Sequence, residues 1–373
     1  MKMNFIFMTV PPFGKGVAEK SNEEIVLKRL VTVMVCMAVM LLAGGARYAY
    51  AGPVMGGGAD SEQKLKDRPD TKPLKCLGPI NMSGGTVLPK GKVTACVKYK
   101  YVHKDELYDG SERMTGNYGG KYDRVNQQVQ LTAKAGLFEN FDARIMVPFW
   151  DKEFKRKAGN PPVHADTDSV SGLGDVVVMG RYALMSQRKG DWINLAFGAG
   201  LKMPTGDADR QNGPPFSNTH KYLGPGAQLG TGSWDPKFEL GATKFLGRSR
   251  LDAHFMYTLP GEGSHGSRKG NQFKYNFGYG YALNKLFDLE IELNGVDQAR
   301  HKYDHSMTVN TGGHTIYLTP GVHWKITDKC HFSVGAPIVI YRNLNGDHAN
   351  PERNGKYALG ESFQVIGRLG YSF

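Results

Sequence analysis

Phe363-Gln364-Val365-Ile366-Gly367-Arg368-Leu369-Gly370-Tyr371-Ser372-Phe373 is the stretch whose reading decides the fold. Phe363, Val365, Gly367, Leu369, Tyr371 and Phe373 fall on one face, and Gln364, Ile366, Arg368, Gly370 and Ser372 on the other. A period of two places these sets on opposite sides of a sheet. The same alternation recurs upstream. Phe287, Leu289, Ile291 and Leu293 stand against Asp288, Glu290, Glu292 and Asn294, and Leu251, Ala253, Phe255 and Tyr257 against Asp252, His254 and Met256.

Working outward gives twelve such segments, near 92–103, 124–136, 141–155, 172–185, 191–204, 227–245, 250–260, 271–283, 287–300, 312–326, 330–342 and 358–373. Gly230 to Pro236 interrupts the start of the sixth. The connections sort by length. Leu137 to Asn140, Ser186 to Gly190, Leu246 to Ser249, Asn284 to Leu286 and Thr327 to Lys329 are short. Those near 104–123, 156–171, 205–226, 261–270, 301–311 and 343–357 are long and rich in Gly, Asn, Asp and Pro. Short turns at one rim and long loops at the other are the pattern of an even-stranded membrane barrel, and segments of about ten residues suit a tilted strand crossing a bilayer. The aromatic end of the chain resembles the terminal strand of bacterial outer-membrane barrels. That implies lipid against the apolar face and the barrel-assembly machinery as a partner through the C-terminal strand. The fold class expected is all-β: a transmembrane antiparallel β-barrel of about 12 strands, over residues 91–373, after a cleaved signal peptide.

Lys28 and Arg29 precede an apolar run, Leu30 to Ala46, that leads into Ala49-Tyr50-Ala51. This is the order of a secretory signal, so residues 1–51 are expected to be removed, with 1–27 read as a misannotated start. Removal leaves 41 basic and 32 acidic residues, a net charge of +9. Export makes nucleic acid an improbable counterpart for that charge, and outer-membrane lipid and lipopolysaccharide phosphates fit better. Lys152, Lys155, Arg156 and Lys157, at the top of the third strand, are the expected contacts with lipopolysaccharide. Both termini are expected in the periplasm. Glycine, 48 of 373 residues, is well above the average of roughly 7%.

Three motifs carry a family resemblance: Ser171-Gly172-Leu173-Gly174-Asp175 with Arg181-Tyr182, Gly198 to Asp207, and Gly230-Thr231-Gly232-Ser233-Trp234-Asp235. They resemble signatures of the outer-membrane transporter family linked to the meta-pathway of phenol degradation, with Met203 in place of a Leu. The resemblance implies a channel for small, often apolar or aromatic, compounds and no catalysis. Read by themselves, the same residues are turn chemistry at strand ends. The sharper alternative folds Gly230 to Asp235 into the lumen, where Trp234 and Asp235 narrow the pore.

By parity Lys98, Lys100, Lys134, Arg144, Arg181 and Arg368 point inward from one wall, and Asp252, Asp288, Glu290 and Glu292 from the opposite one. Two readings are open: interior salt bridges, or a transverse field that orients solutes. No catalytic residues, metal site or cofactor are expected. A hydrolase would need converging Ser, His and an orienting group, and Ser333 beside His331 is the nearest approach. Arg300 to His305 reads as a solvated loop. Residues 52–90 form a polar segment, either a disordered periplasmic tail or a plug tethered by a Cys76–Cys96 disulfide, with Cys330 as the spare thiol. The rival to a channel is a sealed structural or surface-interaction barrel.

Overall fold

The computed structural model describes residues 76–114, 122–158, 163–211, 221–346 and 357–373; the expected signal peptide, the segment 52–75, and the side chains of Arg156 and Lys157 lie outside the described residues. Twelve strands form the wall: β1 (Val93–Asp109), β2 (Tyr122–Phe138), β3 (Phe141–Ala158), β4 (Val163–Leu173 and Val177–Met185), β5 (Asn194–Lys202), β6 (Asp235–Leu246), β7 (Ser249–Thr258), β8 (Gln272–Ala282), β9 (Phe287–Gln298), β10 (Gly313–Lys325), β11 (Cys330–Gly335 and Ile338–Leu344) and β12 (Ala358–Ser372). Neighbours in the chain pair antiparallel, and β1 pairs with β12 from Thr94↔Ser372 to Tyr108↔Ala358. The ring is closed, as it must be where lipid offers no hydrogen bond to a sheet edge.

Burial is inverted relative to a water-soluble sheet. Arg250 is 1% exposed while Leu251 beside it is 45% exposed. Phe149, Phe277 and Ile291 are exposed on the outer face, whereas Asp142, Asp288 and Glu292 are buried inside. The alternation read from the sequence therefore separates a lipid face from a polar interior.

Three boundaries differ from expectation. β3 reaches Ala158 and β4 begins at Val163, so most of the loop expected over 156–171 is a hairpin. There Lys, Glu, Asp and Ser stand on both faces, and the backbone ladder continues where the hydrophobic pattern stops. β6 begins at Asp235 rather than near 227, because Leu223, Ala227 and Leu229 turn inward to pack on Phe154 and Val170. β11 breaks at Ala336-Pro337, where proline has no N–H for the ladder. Its second half pairs with β10, and among the described residues no ladder joins it to β12. A side chain spans this seam: Arg342 Nη2 donates to the Glu361 carbonyl oxygen at 2.6 Å, and its guanidinium lies 4.5 Å from the Tyr108 ring.

Replacing that guanidinium tests the seam. Arg342→Met should lower barrel stability by about 2 kcal/mol, the scale of a hydrogen bond to a charged group. Urea unfolding in detergent, followed by the loss of fast gel migration, reads the shift.

Candidate functional site

Residues Cys76 to Gly91 run as an extended strap through the lumen, with no strand of their own before β1. Irregular backbone inside a barrel lacks ladder partners, so its amides and carbonyls need side chains. The wall supplies them. Leu77 N donates to Asp288 at 2.8 Å, Ile80 N to Glu292 at 2.8 Å and Glu290 at 3.1 Å, and Asn81 N to Glu292 at 3.0 Å. Gly85 N donates to Thr243 and Leu88 N to Asp142, each at 2.8 Å. In the other direction Arg181 donates to the carbonyls of Gly84 and Thr86, and Arg368 to those of Gly78 and Pro79. Arg144 reaches Ser83 Oγ at 2.7 Å.

Glycines make room for the strap. A Cβ on Gly321 would lie 2.4 Å from Ile80, and one on Gly278 would lie 2.2 Å from Met82. Gly85 itself is wedged against wall backbone, where a Cβ would stand 2.3 Å from the Asn194 carbonyl oxygen. The strap thus fills the half of the lumen nearer the short turns.

The bridge expected between Cys76 and Cys96 does not form, and both are free thiols, as is Cys330. Cys76 packs on Gly280 of β8 and receives a hydrogen bond from Arg250 of β7 at 3.7 Å. Cys96 sits between Thr132 of β2 and Gly370 of β12, across the ring. Burial pushes the Cys76 thiol up to about 12, against the pull of Arg250.

The two charged walls expected to face each other are instead locally paired. Arg250, on the acidic side, binds Asp252 and Glu290, and Lys325 meets Asp288 at 2.6 Å. Arg144 meets Glu239 at 2.6 Å, and Arg181 meets Asp142 at 2.7 Å. Arg144 and Arg181 of the basic wall and Asp252, Asp288 and Glu290 of the acidic one are thus neutralised by near neighbours, while Lys98 and Lys100 stay outside this pairing. Ser333 joins this network through His323, not His331. Ser333 Oγ lies 2.7 Å from His323 Nδ1, and His323 Nε2 lies 2.6 Å from Glu290. Ser333 and His323 are each 0% exposed beneath the strap, so this hydrogen-bond chain ties β9, β10 and β11 together without access for a substrate.

The three sequence motifs meet in the other half of the lumen. Lys202 bridges Asp175 at 2.6 Å and Asp235 at 2.9 Å. Thr231 donates to Asp175, Ser233 to Asp235, and Gly206 N to Asp175 at 3.1 Å. A Cβ on Gly230 would stand 2.2 Å from the Gly206 carbonyl oxygen, so the two turns touch through bare backbone. This knot holds the β5–β6 connection inside, with Leu223, Ala227 and Leu229 against Phe154 and Val170. Asp235 is buried as expected of a lumen residue, but Trp234 is 54% exposed on the outer face and does not narrow the pore. Trp234 shares the outward face with Pro236 and Phe238, while Ser233 and Asp235 on either side of it are buried. Lys152 is also not a lipopolysaccharide contact: it is buried, and its ammonium donates to the carbonyls of Gly226 and Gln228. Lys155 points outward beside Glu153. In the Arg300 to His305 loop, His301 Nδ1 accepts the Gly270 N–H at 2.9 Å, and Lys302–Tyr303 pairs with Ser306–Met307 as a small hairpin.

Between strap and folded-in connection lie Lys98 and Lys100 of β1, Lys237 of β6 and Lys274 of β8. On β6, Thr243 touches the strap and Asp235 the connection, with Lys237 between them. Among the described residues, Lys98, Lys100 and Lys274 have neither ion pair nor hydrogen bond. Lys134, lower on β2, is close to Arg181, Arg144 and Asp142.

Comparison with known proteins adds the following. A family model described as "Putative MetA-pathway of phenol degradation" matches residues 122–350. The crystal structure of the COG4313 outer membrane channel from Pseudomonas putida F1 superposes with a TM-score of 0.58 at 15% identity, covering 80% of this chain and 100% of that one. The CymD monoaromatic hydrocarbon channel gives a TM-score of 0.36 at 7% identity, covering 76% and 88%. A Pseudomonas aeruginosa FadL homologue gives 0.37 at 10%, covering 76% and 90%. No curated protein sequence matches the chain significantly.

Displacing the strap should change the chemistry of one thiol. In the folded wild type Cys76 should resist iodoacetamide. Gly85→Val, which cannot fit beside Asn194, should leave Cys76 alkylated while buried Cys330 stays protected. Unfolding without reductant should then expose three thiols, Cys76, Cys96 and Cys330, where a native bridge would leave one.

Proposed function

The chain belongs to the MetA-pathway phenol-degradation family, and on that premise we propose that it is an outer-membrane channel that passes small organic molecules through its lumen and is closed at rest by its own strap. The observation that carries this reading is how the strap is held. From Leu77 to Leu88 its backbone is bound by wall side chains, and backbone pairing with the wall begins only at its root, where Gly91 N donates to the Gly136 carbonyl. The strap ahead of that root can therefore leave without breaking a ladder hydrogen bond of the wall. A segment built in for rigidity would more naturally pair with a strand. The knot formed by Asp175, Lys202 and Asp235 positions the β5–β6 connection as the second constriction.

On this reading the short turns and both ends of the barrel domain face the periplasm, residues 1–51 are a removed signal, and the terminal strand engages the barrel-assembly machinery. Lys155, together with Arg156 and Lys157, whose side chains lie outside the described residues, would meet lipopolysaccharide phosphates. The barrel carries no catalysis, since the Ser333–His323–Glu290 chain serves the wall.

Planar-bilayer recording separates this from a sealed structural barrel. The mature wild type should conduct in small or intermittent steps, and Gly85→Val should raise conductance several-fold, the expected effect of opening one of two constrictions. A strap-displaced barrel that stays silent would establish the sealed reading instead.

A further inference from the structure

We propose that Lys98, Lys100 and Lys274, with Lys237 beside them, form a binding site for the carboxylate of a small organic anion in the middle of the lumen. The inference rests on the channel reading for the way in, and on the charge pattern of the lumen for the chemistry.

The interior carboxylates are already engaged. Asp288 is held by Lys325 and the Leu77 amide, Glu290 by Arg250 and His323, and Glu292 by two strap amides and Asn294. Glu239 serves Arg144, Asp142 serves Arg181, and Asp175 and Asp235 share Lys202. Glu361 is taken by Lys104, Arg342 and Tyr317. Strap amides occupy acceptor sites on Asp288, Glu290 and Glu292 as well.

The lysines are left over. Lys98 is attracted by Glu292 and Lys100 by Glu361, yet neither carboxylate comes within ion-pair distance. Lys98 and Lys100 lie on the inward face of β1 and Lys274 on that of β8; Lys100 is repelled by Lys274 and Lys98, and Lys274 by Lys237 and Lys98. Among the described residues Lys237 has only the Thr258 hydroxyl, at 2.9 Å. Ammonium groups gathered from opposite sides of a ring, without counter-ions in a confined space, repel one another and call for an anion. Met256, the cross-strand partner of Lys274, adds an apolar surface for the carbon skeleton. Lysine ammoniums are point charges, suited to a carboxylate that passes through and leaves.

Isothermal titration of the mature protein in detergent at low salt tests this with benzoate and its neutral counterpart benzyl alcohol. Benzoate should bind at least about tenfold more tightly, the equivalent of one charge-assisted contact. The K98Q/K100Q/K274Q variant should lose that preference, and its folding is checked by heat-modifiable gel migration. K100Q alone, which keeps most of the charge, should show a smaller loss and serves if the triple variant does not fold. Equal affinity for the two probes, no binding of benzoate, or unchanged preference in the variants would overturn the proposal. A protein that prefers benzoate but carries no current would overturn the channel reading and leave this site standing.

Discussion

An irregular backbone cannot lie inside a closed barrel unless the wall satisfies its amides and carbonyls, and the row Asp288, Glu290 and Glu292 on β9 meets that constraint. Each carboxylate accepts from a strap amide and is also held from the wall, Asp288 by the Lys325 ammonium, Glu290 by the Arg250 guanidinium and the His323 ring, and Glu292 by a hydrogen bond from the Asn294 amide. Leaving such amides unpaired would cost about 1–3 kcal/mol each, so the strap and these carboxylates are mutually dependent. Arg181 and Arg368 do the converse work on the carbonyls.

The distribution of lumen charge follows from that arrangement. Acidic residues sit where the strap passes and are consumed by it, and Arg144, Arg181 and Arg250 are neutralised close by. Lys98, Lys100 and Lys274 meet no ion-pair or hydrogen-bond partner among the described residues.

The second filling of the lumen obeys the same rule by different means. The β5–β6 connection packs apolar residues on Phe154 and Val170, and gives its carbonyls at Gly226 and Gln228 to Lys152. Its root is fixed by Lys202 between two aspartates, and by a backbone contact that only Gly206 and Gly230 permit. The family motifs therefore describe one folded object rather than three separate strand ends. Their placement in the pore and their structural role are the same fact.

Alternation alone determined the twelve-strand wall, its lipid face and the inward direction of Arg144, Arg181, Asp252, Glu290 and Arg368, because a side chain's face depends only on its parity along one strand. The motif residues Asp175, Lys202 and Asp235 were visible too, though not that Lys202 joins the two aspartates. What parity cannot supply is the neighbour across the ring. Arg250 and Glu239 went unnoticed as partners, Ser333 finds His323 on β10 instead of His331 two residues away, and Cys76 and Cys96 lie apart. Trp234 faces outward because the strand alternation already holds at Ser233 and Asp235, which are buried on either side of it. Strand face is a local property of the chain. Which charge meets which, and which is left without a partner, was decided only when the ring closed around its own N-terminal segment.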